Sequence, residues 1–209
     1  MSQKTQKKVL ILVDIQNDFL PTGNLPVPLG DEVVEIANSL MSAFDLIVAT
    51  KDWHPSNHGS FASQHSDKNP FEIIDLHGLP QVLWPDHCIQ HTLGSEFAAG
   101  LQTEKIEKVV YKGSDPKVDS YSGFSDNGNR IQTEMHDYLQ SQNVTDVFVC
   151  GLATDFCVQF TARDASSRGY ETYFIEDASR GISEEGVQEA KKAMLEAGIH
   201  IIQSKTILD

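Results

Sequence analysis

Residues 146–178 read DVFVCGLATDFCVQFTARDASSRGYETYFIEDA. DVFVCG (146–151) is continuously apolar and β-branched, and so is ETYFIEDA (171–178). Between them TDFCVQFTARDASSRG (154–169) has helical character and closes on a glycine suited to a C-terminal stop. Apolar runs without alternation are what strands buried on both faces require. Strand, helix and strand in succession imply a parallel sheet with helices packed on it.

The same rhythm extends in both directions. KVLILVD (8–14), DLIVATKD (45–52) and KVVYKG (108–113) read as further strands, and HIIQ (200–203) as a weaker sixth. In GDEVVEIANSLMSAF (30–44), Val33, Ile36, Ala37, Leu40, Met41 and Phe44 recur at helical spacing. NRIQTEMHDYLQSQ (129–142) places Ile131, Met135, Tyr138 and Leu139 on one face, and SEEGVQEAKKAMLEAG (183–198) completes the set. The expected architecture is a three-layer α/β/α domain over 1–209, with a central, mostly parallel sheet of about six strands. Residues 53–105 break the rhythm: they are rich in His, Pro, Asn and Ser, and only 96–101 reads as helical. A long irregular insert in a compact domain is functional more often than idle.

Composition narrows the function. The 209 residues suffice for a continuous core without staples. A formal net charge of -14 argues against a nucleic-acid partner, which needs a basic patch. No run approaches a membrane span, and the start, MSQKTQKKVLILVD, lacks a signal-peptide pattern, so a cytoplasmic protein is expected. Three cysteines, Cys88, Cys150 and Cys157, are an odd count that disfavours a disulfide framework.

Ligands of open parallel sheets bind beyond the carboxyl ends of the strands. Asp14 follows VLILV, Asp52 follows LIVATK, Lys112 ends VVYK, and Cys157 follows DVFVCGLATDF. A carboxylate can take a thiol's proton and return it to a leaving amine, and an ammonium beside both stabilises their charged forms. Alone, Asp14 could cap a turn, Lys112 could be solvated and Cys157 could be core. With Thr154 as N-cap, Cys157 would occupy the third helical position, where free amides can serve an oxyanion. Cys150 reads as core. In DWHPSNH, Asp52 and His54 point the same way on an extended chain, and WPDHC offers His87. Asp with two His is an N/O ligand set for zinc, iron or manganese, although histidines near prolines are also common on surfaces.

VDIQNDF (13–19), TKDWHP (50–55), WPDHC (84–88), the lysine of YKG (111–113), SYSGF (120–124) and CGLATDFCV (150–158) resemble the nicotinamidase branch of the isochorismatase-like cysteine hydrolase superfamily, in order and over nearly the whole chain. The resemblance implies hydrolysis of nicotinamide, and of pyrazinamide, through a thioester. It implies Asp14, Lys112 and Cys157 as catalytic triad, and Asp52, His54 and His87 as ligands of one divalent metal, zinc first, that holds the pyridine nitrogen. It further implies a cis Leu152–Ala153 bond, an oxyanion hole from the amides of Ala153 and Cys157, and ring packing by Phe19, Trp84 and Tyr121. The insert at about 53–95 would carry the metal site and a lid. His58 falls near a further histidine of some members, as ligand, supporting group or neither. The partner implied is a small molecule, with self-association left open. Competing readings are another small-amide hydrolase of the same superfamily and a redox protein using Cys150 and Cys157.

Overall fold

The computed structural model describes residues 6–209; the polar lead at 1–5 lies outside them. In chain order the strands are β1 (Lys8–Val13), β2 (Leu46–Asp52), β3 (Ile73–Leu76), β4 (Leu79–Val82), β5 (Lys108–Lys112), β6 (Asp146–Leu152), β7 (Glu171–Arg180) and β8 (His200–Ile202). Six of them form one sheet in the order β5-β2-β1-β6-β7-β8, every neighbouring pair parallel. The chain winds outward from β1 through β2 to β5, then returns beside β1 as β6 and winds out through β7 to β8. Direction reverses between β1 and β6, so the crevice of the fold opens where Asp14 and Cys157 emerge.

The helices are α1 (Glu32–Leu40), α2 (Met135–Ser141), α3 (Gln159–Ser167), α4 (Glu184–Glu196) and the short α5 (Lys205–Leu208). Successive strand residues face opposite sides, and the core divides accordingly. Leu10, Leu12, Ile47, Ala49, Phe148 and Cys150 pack with Val33, Ala37 and Leu40 of α1. Val9, Ile11, Val13, Val48, Val147 and Val149 pack with Met135 and Leu139 of α2, Ala162 and Ala165 of α3, and Ala190 and Met194 of α4. Each such Val, Leu or Ile contributes roughly 1.5–3 kcal/mol by leaving water. The three-layer α/β/α fold is as expected, and its sheet is entirely parallel.

Four local expectations need correction. Residues 96–101 are irregular, not helical. The insert instead holds the antiparallel hairpin β3–β4, turned by His77 and Gly78 at φ 53 and 87, the conformation a two-residue hairpin turn requires. Helix α2 starts only at Met135, which leaves Ile131 outside it and 56% exposed. Finally, Ala153, not Thr154, is the N-cap before Cys157. The Ala153 carbonyl accepts the Val158 amide five residues on, so Thr154–Val158 is a wide π turn and the α-helix begins at Gln159.

Candidate active site

The switch point brings three of the sequence-selected side chains together. Asp14 leaves β1 in the left-handed region at φ 47, which turns it from the sheet into the crevice. Lys112 ends β5 and reaches inward. Its Nζ lies 2.8 Å from Asp14 Oδ2 and 3.2 Å from Cys157 Sγ, and it also contacts Asp52 Oδ1 and the Ser120 carbonyl. The Asp14 and Lys112 side chains are wholly buried. At the end of β6, Gly151 has φ 122, and a Cβ there would meet the Val13 carbonyl at 2.2 Å. Only glycine lets β6 approach β1 this closely, next to Asp14. The Leu152–Ala153 peptide is cis, as the resemblance implies.

Burial governs the electrostatics of this cluster. It pushes the Cys157 thiol well above its ordinary value; Lys112 opposes the shift without cancelling it, and Asp14 and Asp52 add to it. The ammonium thus acts on the thiol in the expected direction, and burial outweighs it in the resting site. Asp14 is raised, first by burial and then by Asp52, against Lys112 and Thr50. Burial would also raise Asp52, but the Lys112 ammonium and then His54 outweigh it and hold that carboxyl well below the usual range. Lys112 would be lowered by burial, yet the Asp14 and Asp52 carboxylates hold it well above its ordinary value.

Asp52, His54 and His87 meet on the metal-ligand pattern. Asp52 Oδ2 lies 3.5 Å from His54 Nε2 and 3.6 Å from His87 Nε2. The loop pairing that assembles them is local: the His54 amide donates to the Cys88 carbonyl at 3.1 Å, and the Gln90 amide donates to the His54 carbonyl at 2.9 Å. Each imidazole donates its Nδ1–H to a carbonyl, His54 to Gly113 at 2.8 Å and His87 to Pro85 at 2.7 Å. A carbonyl only accepts, so Nδ1 carries the proton on both rings and Nε2 is the nitrogen left facing Asp52, where an ion would bind. Gly113 is required here, because a Cβ would stand 2.4 Å from His54 Cε1. Three buried N/O donors, oriented and outwardly bonded, fit a divalent metal.

His58 does not join that group; it clusters with His54 and Asp119. Its Nδ1 pairs with Ser60 Oγ at 2.7 Å, and burial pushes its pKa down to about 4.

Above the cluster a cavity is walled by Phe19, Trp84, Tyr121, Phe156 and Ile182, with Asp52, His87, Ala153 and Cys157 on its floor. The three ring residues singled out in the sequence thus face the same space as the thiol. Phe156 stands 4.8 Å from Trp84 and 5.4 Å from Tyr121, ring to ring, and closes the aromatic wall. Sequence reasoning missed Phe156, Ile182 and Asp119, a buried carboxylate that also lines the cavity. Phe156 precedes Cys157 directly, and that adjacency was the available signal. The other two come from loops that have no pattern of their own. Cys150 packs in the α1 layer and Cys157 in the opposite layer, and all three cysteines are free and buried.

The sequence profile of the isochorismatase domain matches residues 8–206. A nicotinamidase of Escherichia coli is 46% identical over 180 residues, covering 84% of each chain. The structure of a yeast nicotinamidase bound to the inhibitor nicotinaldehyde superposes with a TM-score of 0.90 at 35% identity, over 94% of this chain and 99% of that one. A pyrazinamidase of Pyrococcus horikoshii in complex with zinc gives a TM-score of 0.78 at 37% identity, over 94% and 99%.

Proposed function

The chain belongs to the isochorismatase domain family, and we propose that it is a cysteine amidohydrolase converting nicotinamide to nicotinate and ammonia, with pyrazinamide as a second substrate. The observation that carries this reading is the Lys112 ammonium held between Asp14, Asp52 and Cys157 beneath an aromatic cavity. The flat walls suit a heteroaromatic ring, Cys157 stands on the floor, and Asp14 and Lys112 lie buried beneath it.

In the first half-reaction Asp14 takes the proton of Cys157 as the sulfur bonds to the carboxamide carbon. Lys112 is placed to hold the charge that appears on sulfur. The amides of Ala153 and Cys157 take the oxyanion. The carbon–nitrogen bond then breaks, Asp14 gives its proton to the departing nitrogen, and ammonia leaves behind a thioester. In the second half water adds to that carbon, Asp14 accepts its proton, and the carbon–sulfur bond breaks. The thiolate is reprotonated and nicotinate departs. Because burial keeps the thiol protonated at rest, a base within reach is a requirement of this sequence.

Asp52, His54 and His87 would hold a divalent metal, zinc first and iron or manganese otherwise. When bound, it supplies a Lewis-acid contact for the pyridine nitrogen. Asp52 links the two parts of the site, since Oδ1 faces Lys112 and Oδ2 faces the histidines. The decisive experiment is ammonia release from nicotinamide by the Cys157→Ala variant. Loss of turnover is expected; release at the native rate would refute the assignment.

A further inference from the structure

The two oxygens of Asp14 have unequal surroundings. Oδ1 accepts the Thr50 hydroxyl at 2.6 Å, and the same Thr50 Oγ1 accepts the amide of Asp14 at 3.2 Å. Thr50 is fully buried, within β2. Oδ2 lies 2.8 Å from Lys112 Nζ as an ion pair, and no hydroxyl or backbone amide of the described residues donates to it. An ammonium carries three N–H bonds, and those of Lys112 go to Asp52 Oδ1, the Ser120 carbonyl and Cys157 Sγ. That ammonium is thus shared among four groups, and no hydroxyl or amide competes with the thiol proton for Oδ2. Cys157 Sγ and the Asp14 carboxylate lie within 4.8 Å of each other.

We propose that Thr50 is a positioning residue: by occupying Oδ1 it presents Oδ2 as the oxygen that takes the proton from Cys157 Sγ and returns it to the departing amine. The inference rests on Asp14 being the base of the proposed amide hydrolysis. A carboxylate torsion is broad and roughly two-fold, so an unrestrained Asp14 would exchange its oxygens and swing between Lys112 and the thiol. Thr50 prevents this through two bonds. One holds the side chain, and the other holds the backbone at its left-handed φ. No other hydroxyl bonds Asp14 among the described residues.

Thr50 also has a packing role, which the test must separate. Its methyl abuts Gly123, where an added Cβ would lie 2.8 Å from Thr50 Cγ2. Thr50→Ser keeps the hydroxyl and loses the methyl, Thr50→Val does the reverse, and Thr50→Ala loses both. Nicotinamide turnover, melting temperature and metal content are measured for all three, with Cys157→Ala and Asp14→Asn as references. Expected is a fall in kcat of about 100-fold for Thr50→Val and Thr50→Ala with KM within about twofold, since misplacing a reacting group costs on that scale. Thr50→Ser should keep kcat within about threefold while melting lower than the native protein. Should Thr50→Val not fold, the Ser and Ala variants still differ by the hydroxyl alone. Equal kcat for that pair, or native kcat in Thr50→Val while Cys157→Ala is inactive, overturns the role of Thr50 and leaves the amidase reading standing. An active Cys157→Ala overturns both.

Discussion

Lys112 Nζ stands 3.2 Å from Cys157 Sγ, and still the thiol is shifted upward. The ammonium is shared: Asp14 and Asp52 lie on it as closely as the sulfur does, and both carboxylates oppose a third negative charge. The cluster holds one cation against two anions, so an ionised sulfur would be surplus. Proton transfer coupled to attack avoids that state, because Asp14 becomes neutral as charge develops on the substrate oxygen.

Labelling with iodoacetamide should report this directly. The Cys157 rate is expected to climb about tenfold per pH unit beyond pH 8, because the thiolate fraction is still growing there. Cys150, pushed up to about 12 by burial, should stay unmodified in the folded protein. Mass spectrometry of the adducts would expose the error in either statement, the clearest being a Cys157 rate already level at pH 7.

The site was legible where chemistry sits at a strand end. Asp14 and Lys112 sit at the ends of apolar runs and Cys157 in the turn just beyond one, and a parallel sheet gathers such ends at one edge. Thr50 was not legible, because a threonine inside LIVATK reads as an ordinary strand former. The β3–β4 hairpin escaped for a related reason: Ile73 is 69% exposed, so apolar residues there do not trace a buried face. The sulfur's protonation depends on how many charges share one ammonium, and a linear sequence carries no such count.

Removing the shared cation should destabilise as well as inactivate. Lys112→Met leaves Asp14 and Asp52 facing each other without compensation, and breaking a buried pair in this way costs about 3–5 kcal/mol. For a chain of this size that corresponds to a melting point lower by roughly 6–20 °C. A calorimetric scan showing no change would mean that the carboxylates are solvated or protonated in the native protein.

Metal removal should separate the two halves of the site. After chelation, or in His87→Ala, metal per chain is expected to fall from about one to near zero, as removal of one of three protein ligands predicts. Nicotinamide turnover should fall with it, whereas iodoacetamide should still label Cys157. Full turnover by a protein verified to be metal-free would remove the ion from the reaction.

His58 makes a prediction about acid stability. Its folded pKa of about 4 lies below the ordinary 6.5, so between those values the unfolded chain binds the extra proton. Stability from the neutral ring is complete above pH 6.5 and is lost as pH falls toward 4, by up to about 3 kcal/mol. In the presence of chelator, denaturation midpoints of the native protein should drop more steeply from pH 7 to pH 5 than those of His58→Asn. Parallel profiles would show that the ring is protonated or solvated.

Asp18 connects the VDIQNDF segment to the metal ligands, and its loss should be read in the metal. Its Oδ2 accepts the Cys88 amide at 2.7 Å, and the Cys88 carbonyl in turn accepts the His54 amide. Cys88 has φ 46, a backbone state that needs such anchoring in a non-glycine residue. Asp18→Ala leaves a buried amide unpaired, at a cost of about 1–3 kcal/mol, and frees the segment that carries His87. Gly94→Ala should act alike without touching the carboxylate chemically, because its Cβ would fall 2.1 Å from Asp18 Oδ2. Both variants are expected to bind zinc more weakly in a competition titration while iodoacetamide labels Cys157 at the native rate. Native zinc affinity in both would confine Asp18 to loop stability alone.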